Sequence, residues 1–126
     1  MKIQQSTFFE HLGMVRQEDD DGAVVVSVNV QAYHKDEVGN ITSGLSYTLL
    51  DVALGTVVSE QEGGSMATID LNVQIFRQEQ ISRLICKGYH IHTNGNIGSG
   101  RGDVFDENGL LVATGMATFK ITKKSK

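Results

Sequence analysis

ITSGLSYTLLDVALGTVVS, residues 41–59, is the stretch whose reading decides the fold. Leu45, Leu49, Leu50, Val52, Ala53, Leu54, Val57 and Val58 leave almost no polar face on a helix of this length, whereas a surface helix of a small domain shows one. The pattern predicts a central helix, buried on nearly every side. Ser43 is placed to cap its N-terminus, with Gly44 in the first turn. Asp51 falls mid-helix, too late to cap anything. A carboxylate buried there without a partner would cost on the order of several kcal/mol, so it either opens on a water-filled crevice or is held for chemistry.

Upstream, residues 7–14 (TFFEHLGM) suggest a short helix with Phe8, Phe9 and Leu12 on one side and Gly13 ending it. His11 there serves packing, the surface or a ligand site. The acidic run Glu18, Asp19, Asp20 and Asp21 reads as a solvated turn closing at Gly22. Residues 23–32 set Val24, Val26, Val28 and Val30 against Val25, Ser27 and Asn29, the period of a half-buried strand. HKDEVGN, residues 34–40, is a polar loop leading to the helix, and Gly63 with Gly64 closes its far end.

Downstream, residues 66–76 alternate cleanly, with Ile69, Leu71, Val73 and Ile75 on one face and Thr68, Asp70, Asn72 and Gln74 on the other. Residues 83–92 and 97–105 form two strands about a turn at 93–96. Asp106, Glu107, Asn108 and Gly109 make a tight hairpin. Residues 110–122 return as the last strand, with Leu111, Ala113, Ala117, Phe119 and Ile121 sharing a face. Four strands joined by hairpin-length turns must be antiparallel, and the long helix is their only cover. The fold expected is α+β, a curved antiparallel sheet around one central helix.

Composition narrows the function. A chain of 126 residues suits one domain, residues 1–126, with a core that needs no staples. Cys86 is the single cysteine, which excludes an intrachain disulfide and fits a reducing compartment. The start, MKIQQSTFFEHLGM, lacks the pattern of a signal peptide, and no apolar run approaches a membrane span, so a soluble cytoplasmic protein is expected. A net charge of −4 argues against nucleic acid as the main partner. The basic tail Lys120, Lys123, Lys124 and Lys126 reads as a solvated terminus.

Four motifs, in this order and spacing, carry a resemblance: FFEHLGM (8–14), SGLSYTLLDVALG (43–55), ATIDLNVQIFR (67–77) and DENGLLVATGMATF (106–119). The chain resembles the small acyl-CoA thioesterases of the phenylacetic-acid-degradation type, which have the hot-dog fold. The resemblance implies cleavage of an aryl- or medium-chain acyl-CoA to the free acid and coenzyme A, with coenzyme A part of the substrate and no separate cofactor. In that family a His-Gly-Gly turn leads into the central helix, and an Asp or Glu nine residues after the His is the catalytic carboxylate. Asp51 matches the carboxylate and Gly44 the second glycine, while Thr42 and Ser43 stand where the family has His-Gly. Asp36 occupies the position where the family often carries an amide six residues before the His. Sites at a dimer interface, with pairs of dimers forming tetramers, are also implied.

Thioester hydrolysis needs a group that activates water or attacks the carbonyl, and donors for the oxygen that becomes negative. Asp51 can be the base or nucleophile, and the Gly44 amide the oxyanion donor. Hydroxyls of Thr42 or Ser43, or the Asn40 side chain, could orient the thioester in place of the imidazole. Gly44 and Asp51 share a helix face but lie roughly 10 Å apart along its axis, against a reaction distance of about 3 Å. An antiparallel helix from a second copy would bring Gly44 of one chain to Asp51 of the other, giving a homodimer with composite sites. Arg77, Arg83 and Arg101 are candidates for the phosphates of coenzyme A, or exposed strand-end charges. Gly95, Gly98, Gly100 and Gly102 either let a nucleotide or pantetheine approach the backbone or mark a bulged or edge strand. Asn72 and Gln74 face solvent, a dimer contact or a pocket. His11, His34, His90 and His92 form no metal-ligand pattern with Cys86, and no G-x-S-x-G occurs. A hot-dog protein that binds an acyl thioester without cleaving it is the alternative, favoured by Thr42-Ser43. A hydratase is a weaker one, since it would carry a histidine near the helix start.

Overall fold

The computed structural model describes residues 7–123. Helix α1 (Thr7–His11) precedes strands β1 (Met14–Arg16) and β2 (Val24–Asn29), and a 3-10 turn at Ala32–His34 leads to helix α2 (Ser43–Glu62). Strands β3 (Ser65–Ile75), β4 (Arg83–Asn94), β5 (Ile97–Phe105) and β6 (Leu111–Thr122) follow. All six strands pair antiparallel in one curved, open sheet of order β1-β2-β4-β5-β6-β3. Helix α2 packs against β2, β3, β4, β5 and β6, as expected for a sheet that wraps one helix.

The close approach of α2 to the sheet depends on missing side chains. Gly88, Gly98, Gly100, Gly102 and Gly115 line the concave face under the helix. A Cβ added at Gly102 would stand 3.0 Å from Leu54 and 3.1 Å from Leu50, and one at Gly115 3.0 Å from Leu50. Leu49, Leu50, Leu54 and Val58 fill that space and are fully buried with Phe119, Leu84 and Val104. Gly98, Gly100 and Gly102 therefore sit on a central strand, where they are neither an edge nor a ligand cradle. Their role is packing.

Several boundaries depart from the periodicity. Thr42, not Ser43, is the N-cap of α2, and its hydroxyl caps nothing. The helix runs on to Glu62 and stops at Gly63 and Gly64, both with positive φ (77° and 86°). Strand β1, which the sequence pattern does not announce, covers one edge of β2. β2 is also buried on both faces rather than one: Val25 and Ser27 are nearly as covered as Val24 and Val26. Gln17 and Arg83 both donate to the Ser27 hydroxyl, at 2.8 and 3.4 Å.

The largest departure is in β3. A register shift between Thr68 and Asp70 drops Ile69 from the ladder and leaves it 56% exposed. Below the bulge, Met66 and Thr68 face Ile121 and Phe119; above it, Leu71, Val73 and Ile75 face Ala117, Gly115 and Ala113. All five thus share the helix side, and Thr68 is moved off the polar face. A second shift at Val104/Phe105 buries Val112 and turns Leu111 outward. Of the basic tail, Lys124 and Lys126 lie outside the described residues, as do residues 1–6 of the chain start.

Substituting Gly102→Ala should lower stability by about 1–3 kcal/mol, because Leu50, Leu54 and the Lys87 carbonyl would have to move. A shifted urea midpoint with unchanged slope would register it.

Candidate functional site

Helix α2 is covered from Val52 to Ser59 but open at its beginning. Ser43, Gly44 and Tyr47 are exposed and Thr48 and Asp51 half-exposed, a stripe spaced three, four and seven residues along one side. The stripe runs beside edge strand β3. There the Thr68 hydroxyl donates to Asp51 Oδ1 at 2.7 Å. Among the described residues no cation pairs with Asp51, so one carboxylate oxygen is held by Thr68 and the other is left open. Alternation had assigned Thr68 to the outer face with Asp70 and Asn72. The signal that would have found it is the odd spacing of Met66 and Leu71, two apolar residues that can share a face only across a bulge.

Around the helix start, the amides of Ser43 and Gly44 have no acceptor within the helix and lie at the positive end of its dipole. The Thr42 N–H donates to the His34 carbonyl at 3.0 Å, and the Leu45 N–H to the Thr42 carbonyl at 3.1 Å. His34 is buried: Nδ1 accepts from the Gln31 N–H (2.9 Å), so Nε2 carries the proton and donates to the Leu12 carbonyl (2.7 Å). Asp36 is occupied locally, its Oδ1 accepting from the Val38 and Asn40 amides at 3.0 Å each. It closes its own loop, with Asn40 half-buried at the end of that loop.

The residues expected to meet coenzyme A do not converge on Asp51. Arg77 donates to Asp106 at 2.6 Å and reaches the Glu79 and Gln80 carbonyls at 3.4 Å, so its guanidinium is committed to the fold. Gly100 is buried beneath Leu54 on the helix side of the sheet. Asn72 and Arg101 are on the convex side of the sheet, opposite α2. Arg101 stacks over the Tyr89 ring at 4.4 Å, and Asn72 borders a shallow groove of about 450 Å³ with Asp70, Gln74, Met116 and Thr118. Among the described residues no group of three His, Cys, Asp or Glu is placed to hold a metal ion, and no helix is long and apolar enough to cross a membrane.

A curved antiparallel sheet around one long helix is the hot-dog fold, and known structures bear this out. An X-ray structure of a thioesterase-superfamily protein superposes with a TM-score of 0.88 at 26% identity, over 95% of this chain and 92% of that one. The phenylacetic acid degradation protein PaaI of Thermus thermophilus, as a point mutant, matches with a TM-score of 0.83 at 24% identity over 93% and 100%. A Bacillus halodurans protein crystallised with CoA gives 0.83 at 23% identity over 97% and 83%. No protein-family model matches the chain, and no curated protein matches it. The structural neighbours are thus thioesterase-superfamily proteins, at low sequence identity.

Asp106 offers a test of the frame around the site. Its carboxyl is held below the usual carboxylate range by Arg77, helped by the Leu110 and Asn108 amides. A depressed carboxyl adds stability that is present above its unfolded value of 3.8 and is lost as pH falls through the lower folded value. The melting temperature of the native chain should therefore exceed that of Asp106→Asn near neutral pH, and the gap should narrow as pH drops below 3.8.

Proposed function

We propose that the protein is an acyl-CoA thioester hydrolase whose sites are shared between two copies of the chain. The observation that carries this reading is the Asp51 carboxylate, aimed by Thr68 on the open stripe of α2, about two turns along the same face from the Gly44 amide, which has no partner among the described residues. Thioesterase-superfamily neighbours, together with a further neighbour crystallised with CoA, support a thioester-hydrolysing or CoA-binding function.

In this reading the free Asp51 oxygen takes a proton from water as the water oxygen attacks the thioester carbonyl. The carbonyl oxygen becomes negative and is met by the Gly44 N–H of the partner chain. Collapse expels the coenzyme A thiolate, which takes up the proton. Direct attack by Asp51, followed by hydrolysis of the anhydride, uses the same groups. Edge strand β3 supports the second copy: among the described residues its outer ladder is unpaired, Ile69 and Phe76 are exposed, and Leu71, Val73 and Ile75 are only half-covered by α2. Pairing β3 of two chains would continue the sheet and set the two α2 stripes facing each other. A dimer of such dimers follows the family resemblance. The substrate class is an aryl- or medium-chain acyl-CoA.

Binding without turnover is the second reading. It rests on Thr42-Ser43 at the helix start, and the thioesterase-superfamily neighbours do not favour it.

A thiol-release assay over aryl-acetyl, hydroxybenzoyl and medium-chain acyl-CoAs distinguishes the two. Asp51→Ala should abolish turnover, while Thr68→Val should lower kcat by about 10- to 100-fold through loss of a hydrogen bond to a charged group. Turnover that survives Asp51→Ala removes the carboxylate from the mechanism, and CoA binding with no turnover in the native chain favours the second reading. In sedimentation at assay concentration the active species should be a dimer or larger; an active monomer would refute the shared site.

A further inference from the structure

The helix start that offers the Gly44 amide is closed by the Leu45 N–H bond to the Thr42 carbonyl but carries no side-chain cap. Among the described residues the Thr42 side chain makes no capping bond, so the direction of the first-turn amides is set by how residues 40–42 are anchored from outside, at Thr42 by its N–H to the His34 carbonyl and at Ile41 by Gln78. Ile41 is anchored at both backbone groups by one residue. Its N–H donates to the Gln78 carbonyl at 2.8 Å, and its carbonyl accepts from Gln78 Nε2 at 3.0 Å. Gln78 is itself fixed, because the preceding Phe76 and Arg77 amides donate to the Val112 carbonyl (2.8 and 3.3 Å) and Arg77 is paired with buried Asp106. The Ile41 side chain is buried in the core, so the clamp joins a rigid strand end to a rigid anchor one residue before the N-cap.

We propose that Gln78 is the positioning residue of the oxyanion-donating turn: its side-chain amide, closing on the Ile41 carbonyl, fixes the angle at which Ser43 and Gly44 present their N–H groups. This rests on the hydrolase reading for its catalytic consequence but not for its structural one. Gln78 touches no substrate. Its loss lets the turn rock, which weakens donors that matter most when charge develops on the carbonyl oxygen, so the effect falls on kcat rather than KM. The backbone bond from Ile41 to Gln78 remains in any side-chain variant, which keeps the fold.

The test compares the native chain with Gln78→Met, which preserves bulk and removes the donor, and with Gln78→Glu, which keeps the shape but cannot donate when ionised. Expected is a fall in kcat of about 10-fold or more in both, with KM within about threefold. Faster amide hydrogen exchange at Ile41 and Thr42, with exchange in the buried part of α2 unchanged, should accompany it. Native kcat in either folded variant overturns the proposal, as does a loss confined to KM. If the native chain cleaves no thioester, the hydrolase reading falls and the exchange comparison alone decides the clamp: unchanged exchange at Ile41 and Thr42 overturns it, and selective acceleration supports it.

Discussion

Everything in this fold depends on how closely α2 can press into the sheet. Leu50 and Leu54 rest on backbone where Gly88, Gly102 and Gly115 have no side chains, and a methyl group at any of these would meet a neighbour at about 3 Å. Close packing of this kind brings dispersion contacts and water exclusion together over the length of the helix. It also fixes the rotation of α2 about its axis. Once the leucines are seated, the adjoining stripe, with Gly44, Tyr47, Thr48 and Asp51, comes to lie at the open edge of the sheet beside β3.

That rotation makes the candidate site. The carboxylate of a buried helix stays half-exposed because the stripe runs out past the edge strand, and the bulge at Ile69 puts a hydroxyl where the carboxylate needs a donor. The same edge leaves apolar side chains half-covered and backbone groups unpaired. Site and unfinished surface are thus one feature of the molecule, which is why the proposed chemistry and the proposed second copy come together. The loops at the other end of the stripe are bolted down by His34, Gln78 and the Arg77–Asp106 pair.

Much of this was legible residue by residue. The apolar run from Leu45 to Val58, the Asn-Gly turn at Asn108-Gly109 and the even alternation after Leu71 each carry a local physical signal, and helix, hairpin and strand follow from them. Asp51 stood out for the same reason, as a charge in an apolar segment. Errors arose where the answer lay with a neighbour. The glycine spacing of β5 left ligand approach and a bulged or edge strand both open, because the helix that packs on it lies about forty residues or more away in the chain. Arg77 looked free to meet a phosphate because Asp106, its partner, is 29 residues on.

The sequence by itself determined the elements other than β1, their order, the antiparallel pairing of the last strands and the carboxylate at the centre of the helix, since propensity, period and turn chemistry act within a few residues. Only the tertiary structure decided which side of β3 Thr68 occupies, that Asn72 and Arg101 lie across the sheet from Asp51, and that Gln78 holds the helix start. Those outcomes turn on register, and one residue slipped from a ladder reverses every side chain beyond it. Such a slip is settled by the packing of both partners at once, not by either strand alone.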